Sequence, residues 1–254
     1  MRLSIDQMEH WEFGALGIHN PGQSTLAPYF ELVKETENIP GDVLELGVLR
    51  VASLITTGLL LESMNSARKV LGLDTFAGFP GFSEEDELSQ FDRLAEKSLI
   101  SQNHLDKVKR NKSLVRIRGS SLTPGAISNS ANFSDTSFNL VEEKIRNLGL
   151  DKRVNVKQVD ISVELQTVVH ANFLSLVLMD VDLYLPYAKA LPVLFELLSI
   201  GGFIYLDEYY SLKFPGPRLA VNRFIESTQG AKLERLEDWL DFERWAIRKV
   251  VPNE

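Results

Sequence analysis

The chain has 254 residues with 35 acidic and 27 basic side chains, a formal net charge of −8, and no cysteine. This length suits one α/β domain, and the scattered basic residues argue against a nucleic-acid partner. Disulfides, thiolate metal sites and cysteine nucleophiles are excluded, and no apolar run reaches the about 18 residues of a membrane span. We therefore expect a cytoplasmic protein with neither a nucleic-acid nor a membrane partner, and a homo-oligomer stays open.

The N-terminal residues 1–38 place aromatic side chains such as Trp11 and Tyr29 among glycines and prolines. We expect an N-terminal arm that packs on the following domain or folds over its cleft as a lid. Residues 39–254 are then expected to form the main domain.

A short apolar run, residues 42–47, predicts a strand that contains Glu45 and ends at Gly47, and residues 51–64 have helical spacing. A strand, a glycine turn and a helix N-terminus form a seat for a nucleotide-like ligand, because the backbone can approach closely at glycine. A dinucleotide fingerprint would need G-x-G-x-x-G, and only Gly47 is present, so a purely structural loop is the alternative.

Two further strands are predicted to end in an acid. Residues 69–74 end at Asp74, which is placed either to accept both ribose hydroxyls or to cap the next segment. Residues 154–160 end at Asp160, which either reaches an adenine edge or caps the helix that follows it.

Residues 81–137 predict an insertion at the rim of the cleft, which we interpret as an element of acceptor specificity. Its segment 88–100 has helical periodicity, whereas 111–132 is rich in Ser, Asn, Gly and Pro.

Two apolar runs near the C-terminal half end in carboxylates. Residues 175–184 predict a buried strand that delivers Asp180 and Asp182, and a second run ends at Asp207 and Glu208. Neighbouring parallel strands would bring Asp180, Asp207 and Glu208 within reach of one point. Oxygen ligands without cysteine or a nearby histidine favour Mg²⁺ over Zn²⁺. The alternative is that these acids only cap helices or end strands.

Strands alternating with helices predict a mostly parallel sheet with right-handed crossovers and a ligand at the carboxyl ends of the strands. Residues 232–237 and 244–250 predict a closing antiparallel hairpin. The fold class is therefore α/β with a seven-stranded sheet.

The chain resembles the macrocin O-methyltransferase (TylF/MycF) family. The runs that carry the resemblance are Gly41–Arg50 (GDVLELGVLR), Gly72–Pro80 (GLDTFAGFP), Asp180–Tyr184 (DVDLY), Gly201–Tyr209 (GGFIYLDEY) and Pro215–Val221 (PGPRLAV). The resemblance implies a Rossmann-like class I methyltransferase fold. It also implies an S-adenosylmethionine- and Mg²⁺-dependent O-methyltransferase of antibiotic biosynthesis, acting on a hydroxyl of a sugar or sugar-bearing small molecule.

The resemblance also implies roles for individual residues. Asp182 would be the general base, and the metal ligands would be Asp180, Asp207 and Glu208. The candidate contacts to S-adenosylmethionine are Glu45, Gly47, Ser53, Asp74, Thr75, Asp160 and Asp180. The chain departs from the family where Trp-Arg-Gly-Gly is usual, since residues 49–52 read Leu-Arg-Val-Ala.

Three alternatives stay open. A catechol-type phenol O-methyltransferase would share sheet and metal but has Asp-x-x-Lys, where this chain has Leu183 as the fourth residue. An NAD(P)-dependent oxidoreductase would share the topology, although the second and third glycines of its fingerprint are missing. A non-catalytic binding protein of the same fold is the third alternative.

Overall fold

The structure, a computed structural model, describes residues 4–169, 173–239 and 241–251. Seven strands form one sheet, and these are β1 Asp42–Leu46, β2 Val70–Asp74, β3 Val154–Gln158, β4 Leu174–Met179, β5 Leu198–Leu206, β6 Ala231–Arg235 and β7 Trp245–Lys249. Their order is β3-β2-β1-β4-β5-β7-β6, with β7 antiparallel to both neighbours and the other pairs parallel. This confirms the predicted parallel sheet and its antiparallel C-terminal hairpin.

Helices cover both faces of the sheet. They are α1 His10–Leu16, α2 Ala27–Glu35, α3 Ala52–Ser63, α4 Gln90–Glu96, α5 Gln102–Ile117, α6 Phe138–Asn147, α7 Ile161–Val168, α8 Tyr184–Leu197 and α9 Gly216–Ser227. Apolar residues of α1, α2, α3 and α6 pack on one face, and those of α7, α8 and α9 pack on the other. Because both faces are covered, the central strands are apolar on both sides. Among the described helices, none is long and apolar enough to cross a membrane.

The N-terminal segment packs against the sheet layer. Tyr29 is fully buried, and its ring centroid lies 5.6 Å from that of Tyr205 on β5. The buried Arg68 ties the end of the segment down by donating to the Val33 carbonyl and to the Glu37 carboxylate, each at 2.6 Å. These contacts describe a packed layer, and the lid remains a prediction.

Residues of the insertion form a small core of their own. Phe91 on α4 and Val108 on α5 are buried together, and this cluster reaches Leu183 and Phe214 beside the carboxyl ends of the strands. The helix α5 continues to Ile117, into the segment that is rich in Ser, Asn, Gly and Pro. Its buried apolar residues Leu105, Val108 and Val115 recur at helical spacing, as expected for one apolar face of a surface helix.

Candidate active site

A cleft that is partly open to solvent lies at the carboxyl ends of the parallel strands. This is the edge at which open α/β sheets bind ligands. Its polar lining residues are Asp74, Thr75, Asp160, Ser162, Asp180 and Asp182. Its apolar lining includes Phe79, Pro80, Phe133, Ile161, Val181 and Pro186.

Three carboxylates meet beside this cleft. Asp180 follows β4, Asp207 and Glu208 follow β5, and one carboxylate oxygen of each lies within 4.8 Å of the other two. The parallel pairing of Met179 with Leu206 sets the two strand ends side by side. Arg244 donates to Asp207 Oδ1 at 3.1 Å. The structure therefore brings together the three acids that the sequence singled out.

The electrostatics of this cluster suit a cation. Burial, followed by the charge of Asp207, raises the pKa of Asp180 to about 7, against opposing contributions from a hydrogen bond with Glu208 and the charge of Arg244. Burial and the neighbouring acids also raise the pKa of Glu208 well above its usual range. Like charges this close resist ionising together, and a divalent ion would relieve that repulsion. Carboxylate oxygens are also the ligands that Mg²⁺ prefers.

Tyr187 on α8 contacts the acidic cluster through its hydroxyl group. Its hydroxyl lies 2.9 Å from both Glu208 Oε2 and the Met179 carbonyl, so it can donate to either. The sequence did not indicate Tyr187, nor Arg244, which is 37 residues from Asp207 along the chain. Only the packing of α8 and of the C-terminal hairpin brings them here.

Asp182 reaches the same cleft by a turn. We expected alternate positions of one strand to place Asp180 and Asp182 on a common face, but β4 ends at Met179. Asp182 instead has a left-handed φ of 60°, and the Leu183 amide donates to the Val181 carbonyl at 2.6 Å. The reasoning from the strand was therefore wrong, although both carboxylates line the cleft.

The charge of Lys213 acts on Asp182, and the sequence did not indicate this lysine. Burial, then the charges of Asp180 and Asp207, raises the pKa of Asp182 well above its usual range, and Lys213 acts in the opposite direction. Lys213 lies in the loop after β5, 30 residues beyond Leu183, which occupies the lysine position of the catechol-type pattern.

Position 47 requires glycine because the backbone there lies against the backbone of Asp180. Its φ is +87°, and a Cβ there would lie 1.7 Å from the Asp180 carbonyl oxygen. Gly47 also lines the cleft. The structural reading of this glycine is therefore correct, and a cofactor contact at the same position stays a prediction.

Asp74 braces the glycine loop. Its Oδ2 accepts hydrogen bonds from the amides of Val48 and Leu49 at 2.7 and 2.8 Å, and its Oδ1 accepts one from Phe76 at 2.7 Å. A carboxylate has about four acceptor positions. One position therefore remains for a ribose hydroxyl, rather than the two that we expected it to offer.

Glu45 and Ser53, two of the predicted cofactor contacts, lie beneath the cleft and do not line it. Glu45 is fully buried on β1, where alternation turns it toward α3, and its Oε1 accepts the Ser53 hydroxyl at 2.6 Å. Its Oε2 has no hydrogen-bond partner within the described part of the chain. Burial raises the pKa of Glu45 well above its usual range. A cofactor contact by either residue remains a prediction.

The remaining two predicted contacts line the cleft and also make local hydrogen bonds. Thr75 donates to the Gly78 carbonyl at 2.9 Å. Asp160 accepts from the Ser162 amide at 2.9 Å and is the N-cap of α7, as the capping alternative predicted. Capping leaves acceptor positions of the carboxylate available to a ligand.

The loop that departs from the family pattern is left-handed at two residues. Leu49 and Val51 have φ values of 46° and 59°, and Val51 is fully buried. A β-branched residue rarely adopts this conformation. Val51 stands where the family usually has the first of its two glycines.

Comparison with solved structures finds the same fold in methyltransferases. The O-methyltransferase NovP is 20% identical, with a TM-score of 0.58 over 87% of this chain and 80% of that chain. The calicheamicin methyltransferase CalS11 is 17% identical, with a TM-score of 0.58 over 94% and 80%. Its apo form, described as a TDP-rhamnose 3'-O-methyltransferase, is 16% identical, with a TM-score of 0.52 over 94% and 81%. At these identities the likeness shows the fold.

Sequence comparison finds a family profile that matches part of the chain. The profile described as Macrocin-O-methyltransferase (TylF) matches residues 23–115, from the N-terminal segment through most of α5. No curated protein matches the chain.

The sheet order, the cleft and the family match define an S-adenosylmethionine-dependent O-methyltransferase with the class I methyltransferase fold. The region matched by the profile holds the glycine loop and Asp74 but ends before the acidic cluster. Over residues 23–115 the chain is similar to the macrocin O-methyltransferase (TylF) family.

Proposed function

We propose that this protein is a Mg²⁺-dependent O-methyltransferase that methylates a hydroxyl of a sugar or sugar-bearing natural product of the antibiotic type. The observation that carries the proposal is the approach of three carboxylate oxygens to within 4.8 Å of one another beside the cleft that Asp182 lines. Asp180, Asp207 and Glu208 would hold the cation, with Tyr187 and Arg244 fixing the orientation of two of these ligands.

The chemistry divides between the ligands and the chain. When bound, S-adenosylmethionine supplies an electrophilic methyl group, and Mg²⁺ lowers the pKa of an alcohol that coordinates it. Asp182 would accept the hydroxyl proton on a carboxylate oxygen as the alcohol oxygen bonds to the methyl carbon and the carbon–sulfur bond breaks, leaving S-adenosylhomocysteine. Burial and the neighbouring acids raise the pKa of Asp182, which makes its carboxylate a stronger base than an ordinary aspartate.

Residues at the ends of β1, β2 and β3 would hold the cofactor. The free acceptor position of Asp74 suits one ribose hydroxyl, and Gly47 lines the cleft together with Asp180. Thr75 and Asp160 line the part of the cleft where adenine would lie. Glu45 and Ser53, which lie beneath it, would act through the glycine loop.

The shape of the cleft and the described substrate of a related structure support a sugar acceptor. Phe79 and Phe133 contact each other with ring centroids 5.2 Å apart and line the cleft, so they offer an apolar wall to the less polar face of a sugar. The related structure CalS11 is described as acting on TDP-rhamnose, which is a small nucleotide sugar. Phe133 belongs to the insertion at 81–137, consistent with a role of that segment in acceptor choice.

The test is methyl transfer from methyl-labelled S-adenosylmethionine to a panel of nucleotide sugars and macrolide glycosides, followed by mass spectrometry. We expect a product 14 mass units heavier, lost with EDTA and restored by Mg²⁺. Asp207→Asn should lower this activity, whereas Asp151→Asn, at an exposed acid in the turn after α6, should not. Full activity in EDTA would contradict the metal, and transfer only to catechols would contradict the sugar acceptor.

A further inference from the structure

An aspartate of the insertion is buried at the entrance to α8. Asp86 is 1% exposed, and its Oδ1 accepts a hydrogen bond from the Tyr184 amide at 2.7 Å. Its Oδ2 accepts from both the amide and the hydroxyl of Ser83 at 2.9 Å. The carboxylate therefore links the start of the insertion to a helix 98 residues further along the chain.

This contact replaces a missing helix cap. The first N–H groups of a helix have no partner within the helix, and an N-cap side chain usually accepts from one of them. The N-cap of α8 is Leu183, which has no acceptor on its side chain. Asp86 supplies the acceptor instead, and its negative charge suits a helix N-terminus.

The helix entrance is also the end of the turn that carries Asp182. That residue is left-handed, and such conformations persist only when the surroundings hold them. The Asp180 amide donates to the Leu46 carbonyl at 2.9 Å and fixes the turn on its strand side. On the helix side, Tyr184 is held by Asp86.

We propose that Asp86 is a positioning residue that holds the turn from Asp180 to Tyr184 so that Asp182 faces the acceptor. This inference rests on the proposed role of Asp182 as general base. It gives the insertion a second task, since the segment at the rim of the cleft then also sets the geometry of the catalytic turn.

Gly216, the first residue of α9, offers an independent way to disturb the same contact. A Cβ at Gly216 would lie 2.2 Å from Asp86 Oδ1 and 2.7 Å from the Tyr184 amide nitrogen. Gly216→Ala should therefore separate Asp86 from Tyr184 without removing the carboxylate. Alanine is otherwise favourable in a helix, so its effect should come from crowding at this junction, which includes the Tyr184 Cβ at 2.8 Å.

The experiment compares Asp86→Ala, Gly216→Ala and Gly81→Ala, where an added Cβ meets nothing within 4 Å. We expect the first two to lower kcat by about 10-fold to 100-fold, as loss of supporting contacts commonly does, with the Kd for S-adenosylmethionine unchanged. Hydrogen exchange of the Tyr184 amide should be faster in both. Gly81→Ala should match the wild type, and Asp86→Asn, which keeps Oδ1 as an acceptor, should recover most of the lost kcat.

Wild-type kcat in Asp86→Ala and Gly216→Ala would overturn the inference, and so would an Asp86→Asn variant as slow as the alanine variant. Asp182→Asn distinguishes this failure from failure of the proposed function. If Asp182→Asn is inactive while both alanine variants are fully active, only the positioning role fails. If Asp182→Asn keeps wild-type turnover, the proposed base fails, whatever the exchange of the Tyr184 amide shows.

Discussion

Replacing Gly47 by alanine should push apart the carboxyl ends of β1 and β4. The new Cβ would lie 1.7 Å from the Asp180 carbonyl oxygen, whereas real Cβ atoms essentially never approach closer than 3.0 Å. Going from 1.7 to 3.0 Å requires a movement of at least 1.3 Å. Because the Cβ is fixed to one backbone and the oxygen belongs to another, no side-chain rotation relieves the overlap.

The movement acts directly on the hydrogen bond from the Asp180 amide to the Leu46 carbonyl. Lengthening it from 2.9 Å by 1.3 Å gives about 4.2 Å, beyond the about 3.2 Å limit of such a bond. Its loss costs about 1 kcal/mol, and the left-handed φ of Gly47 costs an alanine about 1–2 kcal/mol more. We expect a total loss of about 2–3 kcal/mol and a Tm lower by about 4–12 °C. Displacing Asp180 by about 1 Å should also lower kcat by about 100-fold.

Thermal unfolding by circular dichroism and methyl transfer in the presence of Mg²⁺ measure these two effects. Gly119→Ala is the matched control, because Gly119 has a φ of +83° but no heavy atom within 4 Å of an added Cβ. It should lose only the backbone contribution and keep full activity. An equal loss of Tm in both variants, with activity retained in Gly47→Ala, would refute the overlap as the reason for glycine at position 47.

Three further predictions follow from the acids of the site. Asp182→Asn should lower kcat by about 100-fold to 10,000-fold and leave the Kd for S-adenosylmethionine, measured by calorimetry, nearly unchanged; unchanged turnover would reject the base. Asp207→Ala should weaken Mg²⁺ binding in a calorimetric titration, and an unaltered affinity would remove Asp207 from the ligand set. For Glu45→Gln, the sign of the pH-dependent change in Tm follows from burial. Burial raises the pKa of Glu45 in the folded protein above its ordinary value of 4.5. The stability that protonated Glu45 contributes is complete below pH 4.5 and is lost as the pH rises through the folded pKa. The Tm of Glu45→Gln minus that of the wild type should therefore increase from pH 5 to pH 8, and a decrease would contradict this.

The sheet and the location of its cleft followed from local patterns. Apolar runs such as residues 175–179 are long enough for buried strands, and helix-length segments between them require crossovers that make neighbouring strands parallel. Acids placed after such runs then share one edge of the sheet. Asp180 and Asp207 could be placed together on this ground without any knowledge of side-chain packing.

The orientation of individual side chains did not follow from the same patterns. Asp182 was assigned to a strand face, but a left-handed turn decides where it points. Asp74 was expected to keep both oxygens for a ribose, but three loop amides use them. In both cases the deciding interactions involve backbone groups, whose positions the amino-acid types at 74 and 182 do not specify.

The sequence by itself determined the order of strands and helices and the edge at which the carboxylates gather, because alternation and chain length act locally along the backbone. Only the tertiary structure decided which groups support those carboxylates. Tyr187, Arg244 and Asp86 reach the site from 21, 37 and 98 residues away from their partners. Contacts over such separations depend on how helices and loops pack on the sheet, and packing is a property of the folded chain as a whole.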